Sequence, residues 1–358
     1  MPNRNNNRMG RIDEEYRKEL SQIIGFELKN SSITGMISVT KVKVTPDLKY
    51  AKVYVSIFNS KNIKEGDMFV AIKGFSTDGT QYIQSAIEKG AKVILVDEQT
   101  DFRSLNIPQD VTLIVVKDAR YAMAICSCNF YDNPSRKFKL IGVTGTKGKT
   151  TTTFMIKEIL EKAGHKVGLI GTIATYINGK MISESARTTP ESIELQKTFA
   201  QMVEDGVEYV VMEVSSQSLK LHRVDGCNFD IVVFTNFSED HISEKEHPDM
   251  QDYFNSKLKL FKMCKTGIVN ADDLHAAKIP RLFPESNIVT YGIDNFANVL
   301  AKDITITNSY VDFKVKITDR NERVKTGIPG RFSVYNSLAA ICVAQKFGID
   351  SETIKQAL

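Results

Sequence analysis

Four places in this 358-residue chain carry side chains suited to a phosphate and a divalent cation. The densest is Gly142-Val143-Thr144-Gly145-Thr146-Lys147-Gly148-Lys149-Thr150. Glycines let backbone N–H groups close on phosphate oxygens, and a helix starting there adds a favourable field. Lys149 brings positive charge to β- and γ-phosphates, and the Thr150 hydroxyl is a Mg2+ ligand of the phosphate-loop kind. The spacing departs from the general pattern. Five residues before Gly148 stands Val143, and the glycine is one position earlier, at Gly142. A tight strand-to-helix turn without a ligand is the other reading of these residues.

The remaining three are single residues. Glu213 ends the apolar run YVVME, at the C-terminal edge of a predicted strand, where α/β ligand sites form. Its hard oxygen suits Mg2+, and a capping or surface glutamate is the alternative. His241 follows Asp240 after the run DIVVFTN, again at a predicted sheet edge. A lone histidine is as readily a satisfied polar residue. Lys257 falls in a helical pattern over residues 252–263. The residues alone predict an exposed helix lysine, and an ammonium does not ligate a cation.

These side chains need elements to hold them. From about residue 59, short apolar runs without alternation recur, among them MFVAI, KVILV, LIVV, LIGVTG, VGLIG and GIVNA. Helical patterns lie between many of them, over residues 151–163, 193–205 and 252–263. Continuous apolar strands alternating with helices predict a buried parallel sheet in an α/β protein. The polar stretch 132–137, with Pro134, predicts a boundary before the strand that feeds the glycine loop. Ahead of all this, Ile12, Tyr16, Leu20, Ile23, Ile24 and Leu28 repeat at helical steps. MISVTKVKV and YAKVYVSIF, joined through Thr45-Pro46-Asp47, predict a β-hairpin.

Composition narrows the function class. Hydrophobic residues at 42% and charged residues at 25% describe an ordinary globular chain with room for two or three domains. Lys and Arg number 47 against 43 acidic residues, and a net charge of +4 is too weak to argue for nucleic acid by itself. No apolar run approaches the ~20 residues of a membrane span, and the start MPNRNNNRMGR is no secretory signal. Cys126, Cys128, Cys227, Cys264 and Cys342 are odd in number and form no CxxC. That predicts small core residues in a reducing cytoplasm rather than a disulfide framework or a zinc site.

The spacing Gly142-x-x-Gly145-x-x-Gly148-Lys149-Thr150 resembles the phosphate loop of the Mur ligases, the ATP-dependent amide ligases of peptidoglycan synthesis. Residues 59–358 resemble the branch of that family that adds the third stem-peptide residue. The ordered matches include Lys64-Glu65-Gly66-Asp67, Thr188-Thr189-Pro190-Glu191, Met212-Glu213-Val214-Ser215-Ser216 and Leu221-His222-Arg223. They continue with Asp240-His241, Glu246-His247-Pro248, Val269-Asn270-Ala271-Asp272 and Pro329-Gly330-Arg331-Phe332. The resemblance implies a UDP-binding domain over residues 59–138 and a phosphate-loop, parallel-sheet ATPase domain over 139–358. It implies that ATP phosphorylates a carboxylate of UDP-N-acetylmuramoyl-L-alanyl-D-glutamate. A diamino acid, lysine or meso-diaminopimelate, then attacks the acyl phosphate. Neither step needs a protein nucleophile, so positioning and charge neutralisation carry the catalysis.

By the same resemblance Lys149, Lys257 and His241 are the catalytic residues. Gly145, Thr146, Lys147, Gly148, Lys149, Thr150, Thr151, Asn236, Asn336 and Arg331 hold ATP, with Asn336 facing the adenine. Thr150, Glu213, His241 and Lys257 hold Mg2+, Lys257 as a carbamate formed with CO2. That reaction turns a cation into an anionic oxygen ligand and requires the neutral amine. Ser60, in Asn59-Ser60-Lys61, touches the uracil, and Thr188, Thr189, Ser215 and Arg223 hold the pyrophosphate and sugar. Gln217 stands where many relatives carry His and receives no metal role.

Residues 8–58 are similar instead to ribosome-binding factor A, a KH-like protein of the small ribosomal subunit. The similarity rests on Arg11-Ile12-Asp13-Glu14-Glu15, on Ile33-Thr34-Gly35, and on a run that includes Pro46-Asp47-Leu48 and Val53-Tyr54-Val55. Only an α-β-β front half of that fold is expected, over residues 1–58. Arg4, Arg8 and Arg11 either touch RNA phosphates or form a solvated basic tail. The hairpin is expected to stand in for the first strands of the UDP-binding domain. The chain ends at Leu358 inside an uncapped helical pattern, without the family's C-terminal amino-acid-binding domain. The expectation is a truncated fusion that binds ATP and the UDP-muramoyl dipeptide but forms little amide. Two other readings are a superfamily relative such as folylpolyglutamate synthetase, and a ribosome-assembly RNA-binding protein.

Overall fold

The computed structural model describes Ile12, Glu15 and residues 36–44, 51–58, 63–74, 77–243 and 246–358. It divides into two compact units, Met1–Ala119 and Arg120–Leu358.

In the first unit Ile12 and Glu15 are helical. Strands β1 (Met36–Val44) and β2 (Ala51–Phe58) form the predicted antiparallel hairpin, with Val44 opposite Ala51 and Met36 opposite Phe58. The rest of the predicted first helix, Arg4, Arg8, Arg11 and Ser60 lie outside the described residues. β3 (Met68–Val70), β4 (Val93–Asp97) and β5 (Thr112–Val116) make a parallel sheet in that order, with helix α1 (Ile83–Glu88) crossing between β3 and β4. Ile83, Ala86, Ile94 and Val96 form its core. The hairpin was expected to extend this sheet. Instead, among the described residues, β1 and β2 pair only with each other. β5, read as a buried strand, is the sheet's edge, and Ile114 and Val115 are 38% and 39% exposed.

The second unit is built on one large sheet. Its strands are β6 (Lys139–Thr144), β7 (Val167–Ile170), β8 (Ala174–Ile177), β9 (Lys180–Glu184), β10 (Tyr209–Glu213) and β11 (Phe229–Phe234). β12 (Cys264–Asn270), β13 (Asn287–Gly292), β14 (Val299–Ile306), β15 (Val311–Ile317) and β16 (Arg320–Thr326) complete it. The spatial order is β16-β15-β14-β13-β12-β11-β6-β10-β7-β8-β9. Pairing is parallel from β14 through to β7 and antiparallel at both ends. β10 and β11 bury nearly every residue on both faces, which accounts for their unbroken apolar runs.

The helices are α2 (Ala119–Phe130), α3 (Lys149–Lys162), α4 (Ser192–Glu204), α5 (Ser216–Lys220), α6 (Met250–Leu258), α7 (Ile279–Leu282), α8 (Arg331–Lys346) and α9 (Ser351–Ala357). Residues of α3 and α8 share one core, around Ile156, Ile159, Leu338 and Ile341. Residues of α4 and α6 belong to a second, around Phe199, Tyr253 and Phe254. From β6 the chain runs to β7 and back to β10 on one side, then to β11, β12 and β13 on the other. Ligand crevices of α/β sheets form where that direction reverses, beyond the strands' C-terminal ends. Gly145, Glu213 and Thr235 follow or end the three strands that meet there.

Candidate active site

The loop between β6 and α3 is held open by two glycines in the left-handed region. Gly145 has φ +138° and Gly148 φ +84°. A Cβ on Gly145 would stand 2.0 Å from Thr235 Oγ1, and one on Gly148 would stand 2.6 Å from Asn336 Oδ1. Gly142 has another task. It lies inside β6, where a Cβ would meet the Phe229 ring at 2.7 Å, so packing rather than phosphate explains it. Asn236 clamps the loop: Thr146 N–H donates to its carbonyl and Lys147 N–H to its Oδ1, both at 2.9 Å. Thr235 Oγ1 donates to Lys147 O at 2.7 Å. The N-terminus of α3 carries no side-chain cap, which leaves its first N–H groups for an anion.

Lys149 Nζ donates to Gly145 O and Thr146 O, both at 3.0 Å. Burial pulls its pKa below the usual lysine value, against the opposing pull of Glu213 and Asp240. Thr150 Oγ1 lies 3.0 Å from both Glu213 oxygens. Glu213 is 1% exposed and also accepts from Thr172, from its N–H at 2.8 Å and its hydroxyl at 3.1 Å. A Cβ on Gly171 would lie 2.4 Å from Glu213 Oε1, so a side chain before Thr172 would displace the carboxylate. Thr172 has no signal in the spacing of the sequence; only the β7–β8 turn brings it here. A hydroxyl and a carboxylate sharing one point beside a glycine-lined helix N-terminus are hard oxygen donors suited to Mg2+ bound with phosphate.

Lys257 is not the exposed helix lysine the periodicity predicts. It is 1% exposed, its Nζ donates to Gly145 O at 3.0 Å, and it stands 4.5 Å over the Tyr253 ring. Burial first, then the neighbouring Lys149 cation, pushes its pKa well below the ordinary value, with Asp240 opposing. His241 sits at φ +58° and is directed elsewhere: Nδ1 is 2.7 Å from Glu246 Oε2. Among the described residues no three His, Cys, Asp or Glu side chains converge on a metal-sized point. Thr150 and Glu213 are therefore brought together, Lys257 joins them through Gly145 and Lys149, and His241 is held by a carboxylate instead.

On the other side of Glu213 the predicted substrate residues gather. Thr188 Oγ1 is 3.1 Å from Thr172 Oγ1. Thr189 is buried, donates to Glu213 O at 3.0 Å and accepts from Ser215 N–H at 3.1 Å. Ser215 caps α5 by accepting from Ser218 N–H. Arg223 donates to Thr189 O at 3.3 Å and pairs with Glu191 at 2.8 Å, while its Nε is buried without a partner.

A cleft of about 530 Å³ opens beside the loop, lined by Lys147, Gly148, Thr151, Asn236, Asn336, Phe332, Tyr335 and Asp272, among others. Asn336 Oδ1 accepts from Thr152 Oγ1 at 3.3 Å. Arg331 is not among the lining residues; its guanidinium turns to Asp294 at 2.6 Å. Asp272 lies within a motif quoted above and Tyr335 precedes Asn336, yet the sequence assigned them nothing. Asp272 accepts from the backbone of Ile293, Asp294 and Asn295 and from Tyr335 Oη at 3.0 Å, and so shapes the cleft.

A family model for the Mur ligase middle domain matches residues 143–344. The chain belongs to the Mur ligase family. It is 48% identical over 302 residues to the UDP-N-acetylmuramoyl-L-alanyl-D-glutamate--2,6-diaminopimelate ligase of Caldanaerobacter subterraneus subsp. tengcongensis, covering 84% of this chain and 61% of that protein. The enzyme of the same name from Clostridium botulinum is 46% identical over 301 residues, again covering 84% of this chain and 61% of the relative. The chain thus spans about three fifths of the length of these curated relatives. The structure of a ligase of that name superposes with a TM-score of 0.72 at 23% identity, covering 83% of this chain and 60% of the other. MurF from Thermotoga maritima in complex with ADP gives 0.53 at 20% identity, over 83% of this chain and 64% of that one. Both show the fold alone. A second family model, ribosome-binding factor A, matches residues 8–96.

Proposed function

We propose that this Mur ligase chain binds ATP and Mg2+ at the loop after β6 and activates a carboxylate of UDP-N-acetylmuramoyl-L-alanyl-D-glutamate for amide formation with a diamino acid. The names of its relatives favour 2,6-diaminopimelate as that amine. The observation that carries the reading is the Lys149–Thr150–Glu213 cluster at the uncapped helix N-terminus. In the chemistry, a substrate carboxylate oxygen takes the γ-phosphoryl group and ADP leaves. The amine then attacks the acyl carbon and inorganic phosphate departs. Lys149 and the uncapped N–H groups at the start of α3 neutralise charge on the moving phosphoryl group. Thr150 and Glu213 would hold Mg2+, which would supply further positive charge beside the phosphates.

Lys257 fits the carbamate assignment. Its neutral amine would add to CO2 with release of one proton, which would put an anionic carboxylate in place of a second ammonium beside Lys149. Thr188, Thr189, Ser215 and Arg223 form the wall for the UDP-sugar. Asn236 and Asn336 serve the nucleotide, and His241 stays a candidate metal ligand that must leave Glu246 to act. The domain limits 59–138 and 139–358 and a cytoplasmic location belong to the same reading, and no helix among the described residues is long and apolar enough to cross a membrane.

The test is calorimetric titration of ATP with and without Mg2+, on the chain and on Lys149→Met. Magnesium-dependent binding in the first and not the second is expected; equal binding in both, or none in either, overturns the reading. The match of residues 8–96 to ribosome-binding factor A favours a second reading, contact with the small ribosomal subunit. Co-sedimentation with small subunits tests it, with neutralisation of Arg4, Arg8 and Arg11 as the control.

A further inference from the structure

Beside the residues already assigned, Ser216, His247 and Asp252 are linked by hydrogen bonds. His247 Nδ1 lies 2.7 Å from Asp252 Oδ2, and His247 Nε2 lies 2.9 Å from Ser216 Oγ. The carboxylate accepts from Nδ1–H, and in the neutral imidazole Nε2 then accepts from the Ser216 hydroxyl. His247 is 0% exposed and Ser216 5%. The order of groups is that of a serine-hydrolase triad. A nucleophile shut away from solvent cannot meet an acyl substrate, so that role does not fit.

What the three side chains join is informative. Ser216 comes directly after Glu213, Val214 and Ser215 at the end of β10. Asp252 lies in the first turn of α6, the helix that also carries Tyr253 and Lys257. His247 O accepts from Ser243 N–H at 2.9 Å, two residues past His241. Lys220 adds a second tie, donating to Asp252 Oδ2 at 2.8 Å and to Glu246 O at 3.0 Å. The Tyr253 ring centroid is 5.0 Å from the His247 imidazole and 5.7 Å from that of His241, and Tyr253 Oη reaches Thr146 Oγ1 at 3.3 Å.

We infer that His247 is a positioning residue. With both ring nitrogens engaged, it ties the end of β10, which bears Glu213, to the segments that bear His241 and Lys257. The cation and phosphate groups thereby keep one mutual geometry, which directional hydrogen bonds set more sharply than apolar packing. The inference rests on reading that site as one for magnesium and ATP.

The test uses the whole chain and varies Mg2+ at fixed ATP. Ser216→Ala removes one donor, Ser216→Thr keeps it, and Ile354→Val loosens the other core as a control for general destabilisation. Removing a residue that orients a metal site costs about tenfold or more in metal affinity. Ser216→Ala is therefore expected to need about tenfold more Mg2+, with Ser216→Thr and Ile354→Val like the parent. Parent-like behaviour in Ser216→Ala, or an equal loss in Ile354→Val, overturns the inference. If the parent binds no magnesium–ATP, the proposed function fails and the tie is judged separately. Amide hydrogen exchange at Ser243 is then expected to quicken in Ser216→Ala and not in Ser216→Thr, and unchanged exchange in Ser216→Ala rejects it.

Discussion

Lys149 and Lys257 donate to one acceptor, the carbonyl oxygen of Gly145, each at 3.0 Å. Their nitrogens are therefore at most about 6 Å apart, and two charges at that distance repel by roughly 3 kcal/mol at an effective dielectric of ~20. Both sites are also desolvated, which disfavours a second charge further. Both effects oppose protonation of the more buried Lys257, whose pKa lies well below the usual lysine value. A neutral, nucleophilic lysine beside a cation is the state carbamate formation requires.

Lys257 should shape stability as pH rises. Its folded-state pKa is depressed, so between that value and the unfolded value near 10.5 the unfolded chain binds the extra proton. Stability then rises with pH across that window, by up to about 1.4 kcal/mol per pH unit for one group. Lys257→Met removes the group and should flatten this part of the curve. Urea unfolding at a series of pH values, in CO2-free buffer, checks it; an unchanged slope in the variant contradicts the assignment.

Carbon-13 bicarbonate should label Lys257. A carbamate carbonyl resonance is expected in the parent chain and not in Lys257→Arg, whose guanidinium is always protonated. Persistence of the signal in the variant would place the modification elsewhere.

Gly142 and Gly148 should behave differently although both belong to one motif. Gly142→Ala pushes a methyl into the Phe229 ring, an overpacking that costs about 1–3 kcal/mol. Phe229→Leu in the same chain should restore part of that loss, with nucleotide affinity little changed. Gly148→Ala strains a positive-φ position and meets Asn336, so it should abolish nucleotide binding with no rescue from Phe229→Leu. Thermal unfolding and a fluorescent-ATP titration on the four chains separate the two roles.

Asp272 should matter at low pH. Burial alone would raise its pKa, but the N–H groups of Ile293, Asp294 and Asn295 and the Tyr335 hydroxyl outweigh it, and the net shift is downward. Its contribution is therefore present above the unfolded value of 3.8 and is lost as pH falls through the lower folded value. Asp272→Asn should cost about 1–3 kcal/mol at neutral pH, since a charged acceptor for several donors is removed. The gap between parent and variant should close as the pH falls through the lowered folded-state value. Unfolding free energies at neutral and acid pH measure this, and a pH-independent gap would count against it.

Much of the site was legible because it obeys local rules. A strand, positive-φ glycines and a lysine-threonine pair at a helix start announce a phosphate loop without knowledge of the fold. Glu213 was legible because an acidic residue closing a continuous apolar strand has to lie at a sheet edge. The antiparallel ends, β8–β9 and β14–β16, escaped because strand pairing partners are chosen by tertiary packing. The hairpin β1–β2 was read from alternation and turn residues, while alternation says nothing about which edge a strand meets, and among the described residues the two strands pair only with each other.

The sequence by itself determined the α/β architecture of the larger unit, the phosphate loop, the strand-end carboxylate and the family. Each follows from a neighbour's type within a few residues, or from order along the chain. Tertiary structure alone decided that Lys257 is buried against Gly145 and Lys149, that Thr172 completes the contacts of Glu213, that His241 turns to Glu246, and that Arg331 turns to Asp294 outside the cleft. Those outcomes depend on burial and on which distant donor finds which acceptor, and both are set only when separate strands and helices close on one crevice.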